Sequence, residues 1–358
     1  MRLFRRNKEQ DEGGAAVLDR PQVKLPDKVD DDFNGTTDEL FTEIERLTLE
    51  NRANPDRQRE REILRLRHLA GVRLLIETKD TPEHPEPDFQ NLPDAEVLPE
   101  IPAEELTPGI LRAGILRDGC VLVRGLIDRQ AALDFAAQID RAYAERDKMA
   151  EGQSPAPGYY EEFEAREPFD IPVGARSWVQ AGGGLLAPDS PLLATEMLDL
   201  FASADLQRLV GDYLGEYPLL SLQKTTLRKA TPDVPGAWHQ DGKFMGEVRA
   251  LNLWLSLSRC GDEAPGLDLV PRRLDELVAT ETDDAVLAYQ VSTAQAQQAA
   301  GDKPIIRPVF EPGDALFFDE MFLHQTASDP SMPNPRYAVE SWFFGASAFP
   351  TEYGPIAA

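Results

Sequence analysis

Residues 250–258 read Ala-Leu-Asn-Leu-Trp-Leu-Ser-Leu-Ser, and this stretch decides the fold. Successive side chains of an extended chain point to opposite sides, so Leu251, Leu253, Leu255 and Leu257 form one apolar face. Asn252, Trp254, Ser256 and Ser258 form the other, which is polar enough to line a site. The same period of two returns at residues 221–229, 267–270, 305–310, 315–318 and 337–344, with turn residues between the runs. Many short strands in this order predict a jelly-roll or related barrel, in a mainly β domain with flanking helices. No internal repeat is visible.

Upstream of these strands the domain is expected to begin near residue 106, giving a unit of residues 106–350. A short helix leads into a strand at residues 120–124, and Asp128 caps a helix carrying Leu133, Phe135, Ala136 and Ile139. Residues 158–190 are irregular and contain Tyr159, Tyr160, Trp178 and the glycines 182–184, a length typical of lids and binding loops. Residues 81–105, rich in proline and acid, read as an extended linker. Before them, Thr36 and Glu39 have the spacing of a capping box, and Leu40, Phe41, Ile44 and Leu47 share a helical face. Asn54 and Pro55 then read as the cap and first turn of a second helix carrying Ile63, Leu66, Ala70 and Leu74. Residues 34–80 are therefore a helical hairpin, whose charged face is either solvated or a surface for self-association or partner binding. Residues 1–33 are charged, lack apolar periodicity and are expected to be a mobile tail.

Lys and Arg number 37 against 63 Asp and Glu, a formal charge of −26. Such a surface repels phosphate backbones, which excludes nucleic acid and anionic membranes as expected partners. Cys120 and Cys260 match no metal or redox spacing and read as reduced thiols of a cytoplasmic protein. The basic start at Arg2, Arg5, Arg6 and Lys8 lacks the apolar run of a signal peptide, and no later run is long enough to span a membrane.

With four histidines in the chain, a metal site built on imidazole has few candidates. His68 lies in an Arg-rich helix and His84 in the acidic linker, without a second ligand at metal spacing, so both read as surface residues. His239 stands in Trp238-His239-Gln240-Asp241-Gly242, where His and Asp two apart emerge on the same side of an extended segment. Alone, that pair reads equally as a polar turn at a strand end. His324, after the strand-like residues 313–318, completes a set of two His and one Asp, the facial triad that leaves three adjacent coordination positions open on iron(II). Arg336 opens a strand in which Arg336, Ala338 and Glu340 share a face. A guanidinium turned into a barrel lumen needs an anion, either a ligand carboxylate or an internal acid.

His239-Gln240-Asp241, His324 and Arg336 together resemble the phytanoyl-CoA dioxygenase-like family of 2-oxoglutarate oxygenases. The likeness runs over about residues 111–346, and the opening Leu116-Arg117-Asp118-Gly119 through Val123-Arg124-Gly125-Leu126 resembles the family's usual start. It does not extend to the N-terminal hairpin. What the resemblance implies is a double-stranded β-helix (jelly-roll, cupin-like) core, with iron(II) on His239, Asp241 and His324 as the catalytic centre. It also implies Arg336 on the distal carboxylate of 2-oxoglutarate, with Thr326 and Trp254 as further co-substrate contacts. Asn252 shares the face of Trp254 and either reaches the co-substrate or makes a core hydrogen bond. The implied activity is that of a dioxygenase hydroxylating a small molecule with O2 while releasing succinate and CO2. Asp241 fills the position a halide would need, which argues against halogenation. One departure is Pro271-Arg272-Arg273, where the family often has a Pro-Gly-Ser-His-like turn. The two arginines read as solvated neighbours of Asp275 and Glu276 or as contacts to an anionic substrate. A cupin-like metalloenzyme that does not use 2-oxoglutarate, and a non-catalytic barrel serving as a binding module, stand as the rival readings.

Overall fold

The computed structural model describes Lys24, Leu25 and residues 32–95, 97–280, 285 and 287–358. The tail expected at residues 1–33 therefore lies outside the described residues, except Lys24, Leu25, Asp32 and Phe33. Ten strands are present among the described residues: β1 (Glu100–Pro102), β2 (Cys120–Arg124), β3 (Gly184–Leu186), β4 (Pro218–Ala230), β5 (Ala250–Ser256), β6 (Gly266–Leu269), β7 (Ala315–Phe318), β8 (His324–Ala327), β9 (Arg336–Gly345) and β10 (Pro355–Ala357). The larger sheet has the order β1-β2-β7-β5-β9-β4-β10, with β3 added to β4. A smaller sheet pairs β6 with β8 and is extended by bridges from Leu269 to Ile306 and from His239 to His324. The two sheets form the jelly-roll core, and its lumen lies between them.

Register and residue type agree on which face is which. Asn252, Trp254 and Ser256 of β5 lie opposite Trp342, Glu340 and Ala338 of β9, and Thr226, Arg228 and Ala230 of β4 lie opposite Glu340, Ala338 and Arg336. These residues face the lumen. The alternate set, Leu251, Leu253, Leu255, Val339, Phe343 and Leu227, joins the apolar cluster that covers the outer face with helices. That cluster includes Phe135 and Ile139 of the helix Arg129–Ala150, whose cap Asp128 accepts hydrogen bonds from Gln130 and Ala131.

A second cluster runs from Trp254, Phe318 and Trp342 through Phe344 and Phe349 to Leu40, Ile44, Leu66 and Leu69 of the N-terminal helices Thr37–Ala53 and Arg57–Glu77. The hairpin is thus packed into the molecule, and its apolar face is spent on that packing. Its Gly71 lies so close to Pro355 that an added Cβ would stand 3.0 Å from the proline ring, which lets the helix settle directly on β10.

Three expectations change. The second helix is capped by Asp56, which accepts a hydrogen bond from the Arg59 amide, while Asn54 and Pro55 form the turn before it. The end of the expected linker pairs as β1 with β2, so the sheet starts before residue 106. Residues 305–310 make isolated bridges at Ile306 and Phe310 in place of a strand, and Pro304 and Pro308 lack the N–H groups a ladder needs. No helix among the described residues is long and apolar enough to cross a membrane.

Candidate metal centre

His239, Asp241 and His324 come together at the mouth of the lumen, with one ligand atom of each within 4.8 Å of the others. The backbone sets the first and third. His239 and His324 exchange both hydrogen bonds of an antiparallel bridge, at 3.0 and 3.2 Å, and their rings lie 4.5 Å apart between centroids. Asp241 follows where the chain turns into the short helix Gly242–Met245, and the intervening Gln240 points away. Its amide donates to the Met321 carbonyl and accepts from the Val278 amide, which pins the loop from behind.

The hydrogen bonds assign the tautomers. Nδ1 of His239 lies 2.7 Å from the Ala237 carbonyl and Nδ1 of His324 lies 3.1 Å from the Phe322 carbonyl. A carbonyl can only accept, so both Nδ1 atoms carry the proton and both Nε2 lone pairs are free for a metal. Burial, then the neighbouring His239, draws the pKa of His324 down to about 4, keeping its imidazole neutral as ligation requires. Oδ2 of Asp241 is buried without a hydrogen-bond partner among the described residues and stands 4.0 Å from Nε2 of His324. Two free imidazole nitrogens facing an unanswered carboxylate oxygen fit a divalent ion.

Deeper in the lumen Arg336 is 3% exposed. Its Nη1 donates to the Gly266 carbonyl at 2.9 Å, its guanidinium lies 5.4 Å from the centre of the Trp254 ring, and its Nε has no partner among the described residues. Among the described residues no carboxylate pairs with it, and burial draws its pKa down to about 10. Glu340, on the same face, is engaged by Arg228 at 2.8 Å. Burial raises the carboxyl pKa, but Arg228 and then His324 outweigh it and hold Glu340 at about 2. Asn252 is fully buried, and among the described residues both its amide atoms, Thr226 Oγ1 and Trp342 Nε1 have no hydrogen-bond partner. Unsatisfied polar atoms collected on one wall fit a polar ligand in the lumen. Trp254 packs between Arg336 and Phe310, and Thr326 lies on β8 two residues beyond His324, on its side of the strand.

The other two histidines are not surface residues. His68 is 1% exposed; its Nδ1 donates to the Pro355 carbonyl at 2.7 Å and its Nε2 accepts from the Arg166 amide at 3.1 Å. His84 is half-buried beside Tyr213, to whose carbonyl it donates. Sequence reasoning missed them because the Arg-rich helix and the acidic segment both pack against the core. Arg273 is taken by Asp319, and Cys120 and Cys260 are free and buried.

Several lumen residues were not anticipated. Lys224, Thr226 and Arg228 share the inner face of β4, and their alternation with Thr225 and Leu227 was the available signal. Phe244, Tyr289 and Trp178 form an aromatic wall beside His239, with Tyr289 5.3 Å from Phe244 and 5.6 Å from Trp178. Sequence gave no sign that Tyr289 joins it, because the contact spans distant segments.

The profile of the phytanoyl-CoA dioxygenase (PhyH) family matches residues 115–332. No curated protein matches the sequence. Among solved structures, AviO1 from Streptomyces viridochromogenes Tue57 aligns over 68% of this chain and 98% of its own, at 17% identity and a TM-score of 0.43. EctD from S. alaskensis with 2-oxoglutarate and 5-hydroxyectoine aligns over 77% of this chain and 88% of its own, at 16% identity and a TM-score of 0.45. The epimerase SnoN in complex with Fe3+, alpha ketoglutarate and nogalamycin RO aligns over 68% of this chain and 86% of its own, at 18% identity and a TM-score of 0.44.

Proposed function

The chain belongs to the phytanoyl-CoA dioxygenase family, and from that premise we propose that it is an iron(II)- and 2-oxoglutarate-dependent oxygenase acting on a small molecule. His239 and His324 offer Nε2, and Asp241 offers Oδ2, as the iron ligands. Arg336 receives the distal carboxylate of 2-oxoglutarate on the floor made by Trp254, and Thr326 adds a hydroxyl beside it. Iron(II) bound with 2-oxoglutarate and O2 supplies an oxidising equivalent, with release of succinate and CO2, and the expected outcome is hydroxylation of the prime substrate.

The protein's own contribution is geometry and dryness. The bridge between His239 and His324 fixes two ligands through backbone hydrogen bonds, and Phe322 stacks against His324 at 13° between ring planes. The Arg228–Glu340 pair keeps a second acid away from Arg336, which leaves that guanidinium for a ligand. Phe244, Tyr289 and Trp178 exclude water from one side of the metal face.

The observation that carries this reading is Arg336, paired with no carboxylate among the described residues, in the same lumen as the triad. A metalloenzyme that does not use 2-oxoglutarate would leave that buried charge unanswered, at a large desolvation cost. The test is anaerobic titration of the iron-loaded protein with 2-oxoglutarate, followed through its metal-to-ligand charge-transfer band, together with succinate formation in air. One iron per chain and a saturable band are expected. Iron binding without any 2-oxoglutarate binding would sink the assignment.

A further inference from the structure

Lys224 is a lumen cation that the proposed iron and 2-oxoglutarate sites leave over and that, unlike Arg228, has no ion pair among the described residues. It projects from the inner face of β4, partly buried, with Nζ 4.6 Å from the centre of the Phe244 ring and 5.1 Å from that of Tyr353. Among the described residues its ammonium donates to no oxygen and forms no ion pair, although Asp241, Glu340 and Glu352 all lie close enough to influence it. Of these, Asp241 is the proposed metal ligand and Glu340 is committed to Arg228. Aromatic faces stabilise an ammonium without neutralising it. The ammonium therefore keeps its donors for something that enters the lumen.

Its position indicates what enters. Phe244 touches both Lys224 and, at 5.9 Å between ring centroids, His239, so one aromatic ring separates the ammonium from the metal face. The wall continues from Phe244 through Tyr289 to Trp178, giving an apolar track beside that face. Resting on the reading of the site given above, we infer that the prime substrate is a small organic anion, a carboxylate or a phosphate, whose charge is held by Lys224 while its carbon skeleton lies along the Phe244–Tyr289–Trp178 wall. Lys224 is thus a specificity-determining residue. Lysine is a point charge with three donors, which suits either anion.

The experiment uses the full chain, loaded anaerobically with iron(II) and saturating 2-oxoglutarate, and three probes on one ring: benzoate, phenyl phosphate and the neutral benzamide. Binding is read by calorimetry while the charge-transfer band reports that 2-oxoglutarate stays in place. At least one anion is expected to bind about tenfold or more tightly than benzamide. Lys224→Met is expected to erase that preference and Lys224→Arg to restore most of it, with iron and 2-oxoglutarate affinities unchanged in both. No preference for either anion in the wild type would overturn the inference, and that arm needs no variant to fold. Equal anion binding by Lys224→Met would also overturn it, as would loss of 2-oxoglutarate affinity in that variant, which would assign Lys224 to the co-substrate. If the wild type takes up no 2-oxoglutarate at all, the failure belongs to the oxygenase assignment itself.

Discussion

The protein buries histidine and arginine in two places and treats them differently. In the shell around the larger sheet, His68 engages backbone groups with both ring nitrogens, and Arg176 grips Asp189 through parallel hydrogen bonds of 2.8 and 2.9 Å. In the lumen, among the described residues, His239 and His324 spend Nδ1 alone, and Arg336 meets a carbonyl and an aromatic face but no carboxylate. Burial does not separate the two groups, since Arg176 is 9% exposed and Arg336 3%. What separates them is the bonding capacity left over. An unanswered buried polar atom costs about 1–3 kcal/mol, so several on one wall mark a surface shaped around a ligand.

The strongest way to break this contrast is to exchange the histidines. His239→Ala and His324→Ala should each abolish stoichiometric iron binding, because two remaining ligands hold this labile ion poorly. His68→Ala should keep it. Metal analysis of the three purified variants decides the point, and iron retained in both lumen variants would remove the contrast.

The arginines sharpen it. Arg336→Leu should weaken 2-oxoglutarate binding by about 30-fold to several thousand-fold, corresponding to roughly 2–5 kcal/mol, with iron affinity unchanged. The same substitution should leave stability toward urea unchanged or raised, since it removes an uncompensated buried charge. Arg176→Leu should do the reverse. It strands the buried Asp189 and should cost about 3 kcal/mol or more in urea unfolding, without altering 2-oxoglutarate affinity in the protein that remains folded.

The smallest effect is a pH dependence. Burial draws the pKa of His68 down to about 4 from an ordinary 6.5. Below pH 6.5 the unfolded chain takes up a proton that the folded protein refuses until about pH 4. The stability is therefore fully present above pH 6.5 and is lost as the pH falls toward 4, by at most about 3 kcal/mol. Comparing urea midpoints at neutral and mildly acidic pH, His68→Asn should lose less stability on acidification than the wild type. An equal loss would mean that other groups set the acid limb.

The contrast also explains what was legible in the sequence. The alternation in residues 250–258 shows both faces of β5 because each residue there has one neighbour layer, apolar outside and polar inside. The triad was legible because histidine is scarce and the His239 to Asp241 spacing is local. The roles of His68 and Arg228 were not, since they depend on partners distant in the chain, Pro355 and Glu340. Charge-rich composition hid His68 in particular. A helix with Arg and Glu along one side reads as solvated, yet its other side packs under β10. The early start of the sheet at β1 was missed because a three-residue strand has no periodicity of its own.

The bridge between His239 and His324 has a consequence beyond holding two ligands. These residues lie at opposite ends of a long excursion of the chain that includes β5, β6 and β7, and they meet through two backbone hydrogen bonds. An ion that ligates both acts as a cross-link, closing that excursion into a loop as a disulfide would. Closing a long loop lowers the entropy of the unfolded chain, and an ion that prefers the folded state stabilises it in proportion to the logarithm of its concentration. The metal would then be a clasp as well as a reagent, locking the segment at His239 to β8 within the smaller sheet whether or not any substrate is present.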